Sequence, residues 1–92
     1  MSEVYPYISY LTNGAGTITG TVCLRQYNSS RRNLMIQNLG TGVLYIGGTG
    51  VTEQNGLKVL PNGDMSMDNS SGAAIYVTST GTTSIRFLED IS

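Results

Sequence analysis

Short runs of alternating apolar and polar residues, turn residues between them and a low charge content predict an all-β domain. Between Arg32 and Met67 the chain reads RNLMIQNL, GTG, VLYIGG, TG, VTEQNG, LKVL, PNG and DMSM. Alternation over four to eight residues is the period of a strand with one buried face, and glycine, asparagine and proline punctuate turns. Charged residues make up 12% of the chain, against about 25% in typical globular domains. A hydrophobic content of 39% at a net charge of −1 excludes a disordered chain. With 92 residues there is material for one domain. The expected fold is a small antiparallel β-sandwich or jelly roll of about eight short strands with an N-terminal arm.

Each element can be justified in order. Residues 1–31 are rich in Tyr, Thr, Asn and Ser and read as an N-terminal arm or extra strands, while residues 32–92 read as the sandwich body. In VYPYISYL, residues 4–11, strong β-formers surround Pro6, which lacks the N–H of a central strand, so an edge strand or extended arm is expected. Asn13-Gly14 signals a turn. In TITGTVCLR, residues 17–25, Ile18, Gly20, Val22 and Leu24 share one face, with Thr17, Thr19, Thr21 and Cys23 opposite. Leu34 and Ile36 oppose Met35 and Gln37, and a turn over residues 38–42 leads to the continuous apolar run VLYI. Asn55-Gly56 and Pro61-Asn62-Gly63 precede further strands, and Asn-Gly favours the type I′ hairpin turn. Ile75 and Val77 point one way and Tyr76 and Thr78 the other. Gly81 is expected in a turn, after which Ile85 and Phe87 point inward and Ser84, Arg86 and Leu88 outward. The predicted core is Ile18, Val22, Leu34, Ile36, Leu44, Ile46, Val59, Met65, Met67, Ile75, Val77, Ile85 and Phe87, with the inward sets of residues 43–46 and 57–60 open to a slip of one residue.

The same residues argue against an enzyme. The chain has no histidine, which removes Ser-His-Asp and Cys-His nucleophile arrangements. One cysteine and no histidine cannot build a zinc site of those ligands, and no cofactor is expected. Lys58 does not follow a glycine, so there is no P-loop. Asp64, Ser66 and Asp68 share one strand face, but Asn69 and Ile75 replace the glycine and final glutamate of a calcium loop, so a solvent face is the expectation. Cys23, the single cysteine, excludes an internal disulfide and reads as an inert small hydrophobe facing an interface. Five basic residues against six acidic leave no footprint for nucleic acid. Residues 1–24 carry no secretory pattern and no apolar run is long enough for a membrane span, so synthesis in a cytoplasm is expected.

What remains is contact. Tyr5, Tyr7, Tyr10 and Tyr27 cluster in the N-terminal third, and tyrosine supplies large contact area at low entropic cost. Arg31-Arg32 is the only basic pair; it reads as a solvated strand start beside the tyrosines. These six are the candidate partner-contact residues.

The segments RNLMIQN (32–38), YIG (45–47), Val51-Thr52, Asn55-Gly56, LPNG (60–63) and Ile75-Tyr76 form a pattern that resembles small tailed-phage virion proteins of the capsid decoration (cement) and head-fibre kind. The resemblance spans residues 32–90. It implies a compact sandwich or jelly roll without catalytic residues, trimerisation, and a place on the capsid exterior after synthesis in the host bacterial cytoplasm. The implied partner is the major capsid protein of a phage head, with the N-terminal arm in the contact. A fibre- or tail-associated module gripping a host-surface receptor or glycan is the alternative.

Overall fold

The computed structural model describes residues 10–67 and 72–91. These form six strands: β1 (Tyr10–Arg25), β2 (Arg31–Asn38), β3 (Leu44–Gly47), β4 (Leu57–Val59), β5 (Asp64–Met67) and β6 (Ile75–Ile91). All pairings are antiparallel, as expected. β6 is the spine. Its first part pairs with β3, from Gly47↔Tyr76 to Leu44↔Ser79, and its last part with β2, from Asn38↔Ile85 to Arg31↔Ile91. β4 and β5 close the outer ends of this path, and β1 runs along β6 for its whole length.

Eight short strands become six because two expected turns are not turns. Asn13-Gly14 lies within β1, paired with Leu88 and Phe87. Gly81 lies within β6, at a register shift opposite Gly20. Both Gly20 (φ 75°) and Gly81 (φ 72°) adopt left-handed backbone, which a β-bulge accepts from glycine without a Cβ penalty. The ladder bends there and continues. Residues 10–25 are therefore a strand; residues 1–9 lie outside the described residues.

The bend lets the sheet fold onto itself. Leu44, Ile46, Val59 and Val77 from one half meet Ile18, Leu34, Ile36 and Ile85 from the other in a single buried cluster. Leu24, Met65, Met67, Ile75 and Phe87 pack against it half-buried. Of the predicted core only Val22 departs, at 37% exposed. Its pairing with Val77 points it inward, but β1 is the edge strand there and leaves it only partly covered. Tyr45 faces outward yet is buried, because residues 51–56 fold back over it. Gly56 permits that approach: a Cβ there would lie 2.8 Å from Tyr45 Cβ and from Val51 Cγ2.

The turn chemistry also differs from expectation. Gly56 N donates to Thr52 O (2.9 Å), and neither Asn55 nor Gly56 has positive φ, so this is no type I′ turn. In Leu60–Gly63, Gly63 N donates to Leu60 O (2.8 Å) and Asn62 has φ 67°. Proline second and positive φ third is the arrangement of a type II turn.

Candidate contact surface

Two polar clusters cross between the halves of the fold. At one end, Asn38 is fully buried. Its Nδ2 donates to Gly42 O (2.9 Å) and Val59 O (3.0 Å), and its Oδ1 accepts from Thr83 Oγ1 (2.6 Å) and Gly40 N (3.2 Å). Every hydrogen-bonding site of the amide is used, so burial carries no desolvation penalty left unpaid by partners.

At the other end lies Glu89, 1% exposed. Arg25 Nη2 donates to Glu89 Oε1 (2.5 Å) and Arg31 Nε to Glu89 Oε2 (2.8 Å). Arg31 Nη1 and Nη2 reach the carbonyls of Ala73 (2.8 Å) and Gln26 (2.6 Å). The Arg25 guanidinium also stands 4.6 Å over the Phe87 ring. Burial alone would raise the Glu89 pKa, but the hydrogen bonds and charges of the two arginines outweigh it and hold the carboxyl below its ordinary value. Glu89 is thus a fixed carboxylate with both oxygens committed, unsuited to proton transfer. Arg31 thus ties Gln26 and Ala73 together, its own N–H donates to Asn28 O (3.1 Å), and Asn28 N donates to Gly72 O (2.7 Å).

This corrects the expected place of Arg31. Its side chain is 1% exposed and is an internal strut, so the solvated strand start applies to Arg32 alone. A register shift between Arg31 and Asn33 inverts the alternation of Leu34 and Ile36, turning Arg31 inward and Arg32 outward. Tyr27 is 70% exposed at the lip of an open groove of about 410 Å³, whose walls include Cys23, Arg25, Gln26 and Asn28. Tyr10 begins β1, paired with Ile91, which in turn pairs with Arg31. Tyr5 and Tyr7 lie outside the described residues. The structure therefore brings Tyr27 beside the Arg25–Glu89–Arg31 cluster and leaves Arg32 on the surface.

Sequence reasoning missed a second surface. Leu11 (64% exposed), Met35 (46%) and Leu88 (39%) share the outer face of the β5-β2-β6-β1 half, because Met35 pairs with Leu88 and Leu11 with Asp90. They flank a groove of about 240 Å³ edged by Asn33, Ser66 and Asp90. The signal was present: Met35 and Leu88 occupy positions already assigned to outward faces, and outward apolar residues on neighbouring strands mark a contact patch. Cys23 is exposed, its thiol 3.5 Å from Arg25 O. Asp64 and Ser66 are exposed, and Asp68 lies outside the described residues. Among the described residues no three of His, Cys, Asp and Glu gather as a metal-ligand group, and no helix is long and apolar enough to cross a membrane.

No family model matches the chain, and no curated protein matches it. Solved structures do resemble it. A cupin-2 domain protein from Shewanella frigidimarina superposes with a TM-score of 0.57 at 8% identity, over 85% of this chain and 68% of the other. A cupin superfamily protein from Desulfitobacterium hafniense gives 0.58 at 8% identity, over 100% and 75%. A protein from Neisseria meningitidis gives 0.59 at 9% identity, over 100% and 89%. At such identities the likeness is one of fold, and it fits the antiparallel sandwich that the residues and their pairing build.

Proposed function

We propose that this chain is a non-enzymatic bacteriophage virion protein that binds the outer surface of the capsid and stabilises the shell. The observation that carries the reading is the set of exposed apolar side chains Leu11, Met35 and Leu88 on one outer face of the sandwich, joined to the sequence pattern of residues 32–90. A patch of this kind on a small domain is a surface for a protein partner. The major capsid protein supplies such a partner in many copies. Individually weak contacts then bind firmly by multivalency and bridge subunits whose spacing exists only in the assembled shell.

The test mixes the purified protein with undecorated expanded phage heads, sediments them and images the pellet by cryo-electron microscopy. Saturable occupancy at fixed lattice sites is expected. Deleting residues 2–9, which removes no residue of β1 to β6, is expected to abolish binding through loss of Tyr5 and Tyr7. Heads that stay bare at excess protein would overturn the reading. The alternative, a fibre- or tail-associated module for a host receptor or glycan, draws support from the polar groove under Tyr27, where an aromatic lip and the amides of Gln26 and Asn28 suit neutral hydroxylated ligands. Binding to host cells without binding to heads would favour it.

A further inference from the structure

We propose that the outer edge of β1 is a strand-pairing surface for a second copy of this chain, joined antiparallel about a two-fold axis. The inference is independent of the virion reading and rests on how differently the sheet treats its edges. Among the described residues β1 pairs with β6 alone, and no described strand lies along its other side. Leu11, Asn13, Ala15, Gly16, Thr17 and Thr19 are all exposed along it. Soluble proteins blunt such edges with short strands, charges, prolines or bulges. The other two edges follow that rule: β4 has three residues centred on Lys58, and β5 has four opening on Asp64. β1 does not. From Tyr10 to Leu24 it carries no charge and no proline, and its first irregularity comes only after Thr19.

The occupant follows from that charge pattern. Like charges set directly opposite destabilise a strand pair, whereas threonine and β-branched pairs stabilise it. An antiparallel pairing of β1 with itself brings no charge opposite a charge over residues 10–24, while the β4 or β5 edge of another copy would bring Lys58 or Asp64 against an apolar and threonine-rich strand. A regular run of ten residues, 10–19, spans about 33 Å and closes about ten interstrand hydrogen bonds. Pairing there also makes the β5-β2-β6-β1 half continuous between copies and sets the two Leu11–Leu88 patches on one shared face. Such an interface is isologous and closes at two copies. It differs from the trimer that the sequence resemblance implies.

The experiment is sedimentation equilibrium on the full chain up to about 100 μM, where even a weak dimer is populated. Ala15→Lys/Thr17→Lys is compared with Ala15→Ser/Thr17→Ser. Both positions are exposed and on the outward face, so neither pair disturbs the core, and circular dichroism and the melting curve at low concentration check this. A wild-type dimer is expected, retained by the serine pair and weakened at least about tenfold by the lysine pair. A monomer throughout, a trimer, or a dimer that the lysines leave unchanged would each overturn the proposal.

Discussion

Glu89 carries the largest single-residue consequence. By alternation it falls on the same face as Ile85 and Phe87, so the sequence places a carboxylate in line with core residues. The structure answers with Arg25 from β1 and Arg31 from β2. Removing one member of a buried ion pair strands the others and costs about 3–5 kcal/mol. Glu89→Ala is therefore expected to leave little folded protein at ambient temperature, as measured by urea titration followed by circular dichroism. The pH dependence has a definite sign. Because the folded pKa lies below the ordinary 4.5, the unfolded chain binds the proton more readily. The stabilisation is fully present above the unfolded pKa and is lost as pH falls through the folded value. Acid melts are expected to show a stability decline below about pH 4.5 that is much reduced in Glu89→Gln. An unchanged acid limb in that variant would remove Glu89 from the account.

At the scale of elements, the glycine pair in the β1–β6 ladder decides the architecture. Local signals divide β1 at Asn13-Gly14 and β6 at Gly81. Long-range pairing overrides the first completely and turns the second into a bend. Gly81 holds left-handed backbone at φ 72°, a conformation that costs an L-residue about 1–2 kcal/mol. Gly81→Ala is expected to lower stability by that amount, measured as a shifted urea midpoint at unchanged slope. Nothing lies within 4 Å of a Cβ at this position, so the loss would be one of backbone conformation without a steric clash. A variant as stable as the parent would show that the bend tolerates an ordinary residue. The same scale explains Arg31: one extra residue on β2 before Asn33 exchanges the faces of two neighbouring arginines.

Across the whole molecule, the two halves divide the work. Asn38 and Glu89 lock opposite ends of the core, and the outer face of the β5-β2-β6-β1 half sets the apolar Leu11, Met35 and Leu88 among polar neighbours such as Asn33, Ser66 and Asp90. Met35 lies on that face, 46% exposed and paired with Leu88. Met35→Glu removes no core contact and is expected to change stability by no more than about 0.5 kcal/mol. The same change sets a charge within the proposed capsid contact. Loss of head binding with an unaltered melting curve is the expected result, read by co-sedimentation with undecorated heads. Full binding by this variant would move the contact elsewhere on the surface.

By itself the sequence determined the fold class, the inward faces of β2 and β5 and nearly all of the apolar core, because alternation is a local property and strands with one buried face must obey it; the faces of β3 and β4 stayed open by one residue until pairing set them. It also determined that the chain lacks histidine, and with it the Ser-His-Asp and Cys-His arrangements and zinc sites built from cysteine and histidine. Tertiary structure alone decided how many strands there are, which arginine is buried and where the exposed apolar face lies. Each of these depends on pairing between residues far apart in the chain. Gly14 becomes strand because Phe87 lies opposite it, and Arg31 turns inward because a bulge aims it at Glu89. Leu11, Met35 and Leu88 become neighbours only when β1, β6 and β2 lie side by side. Local spacing has no term for such partners, and the pairing free energy that overrides it is spread over whole ladders.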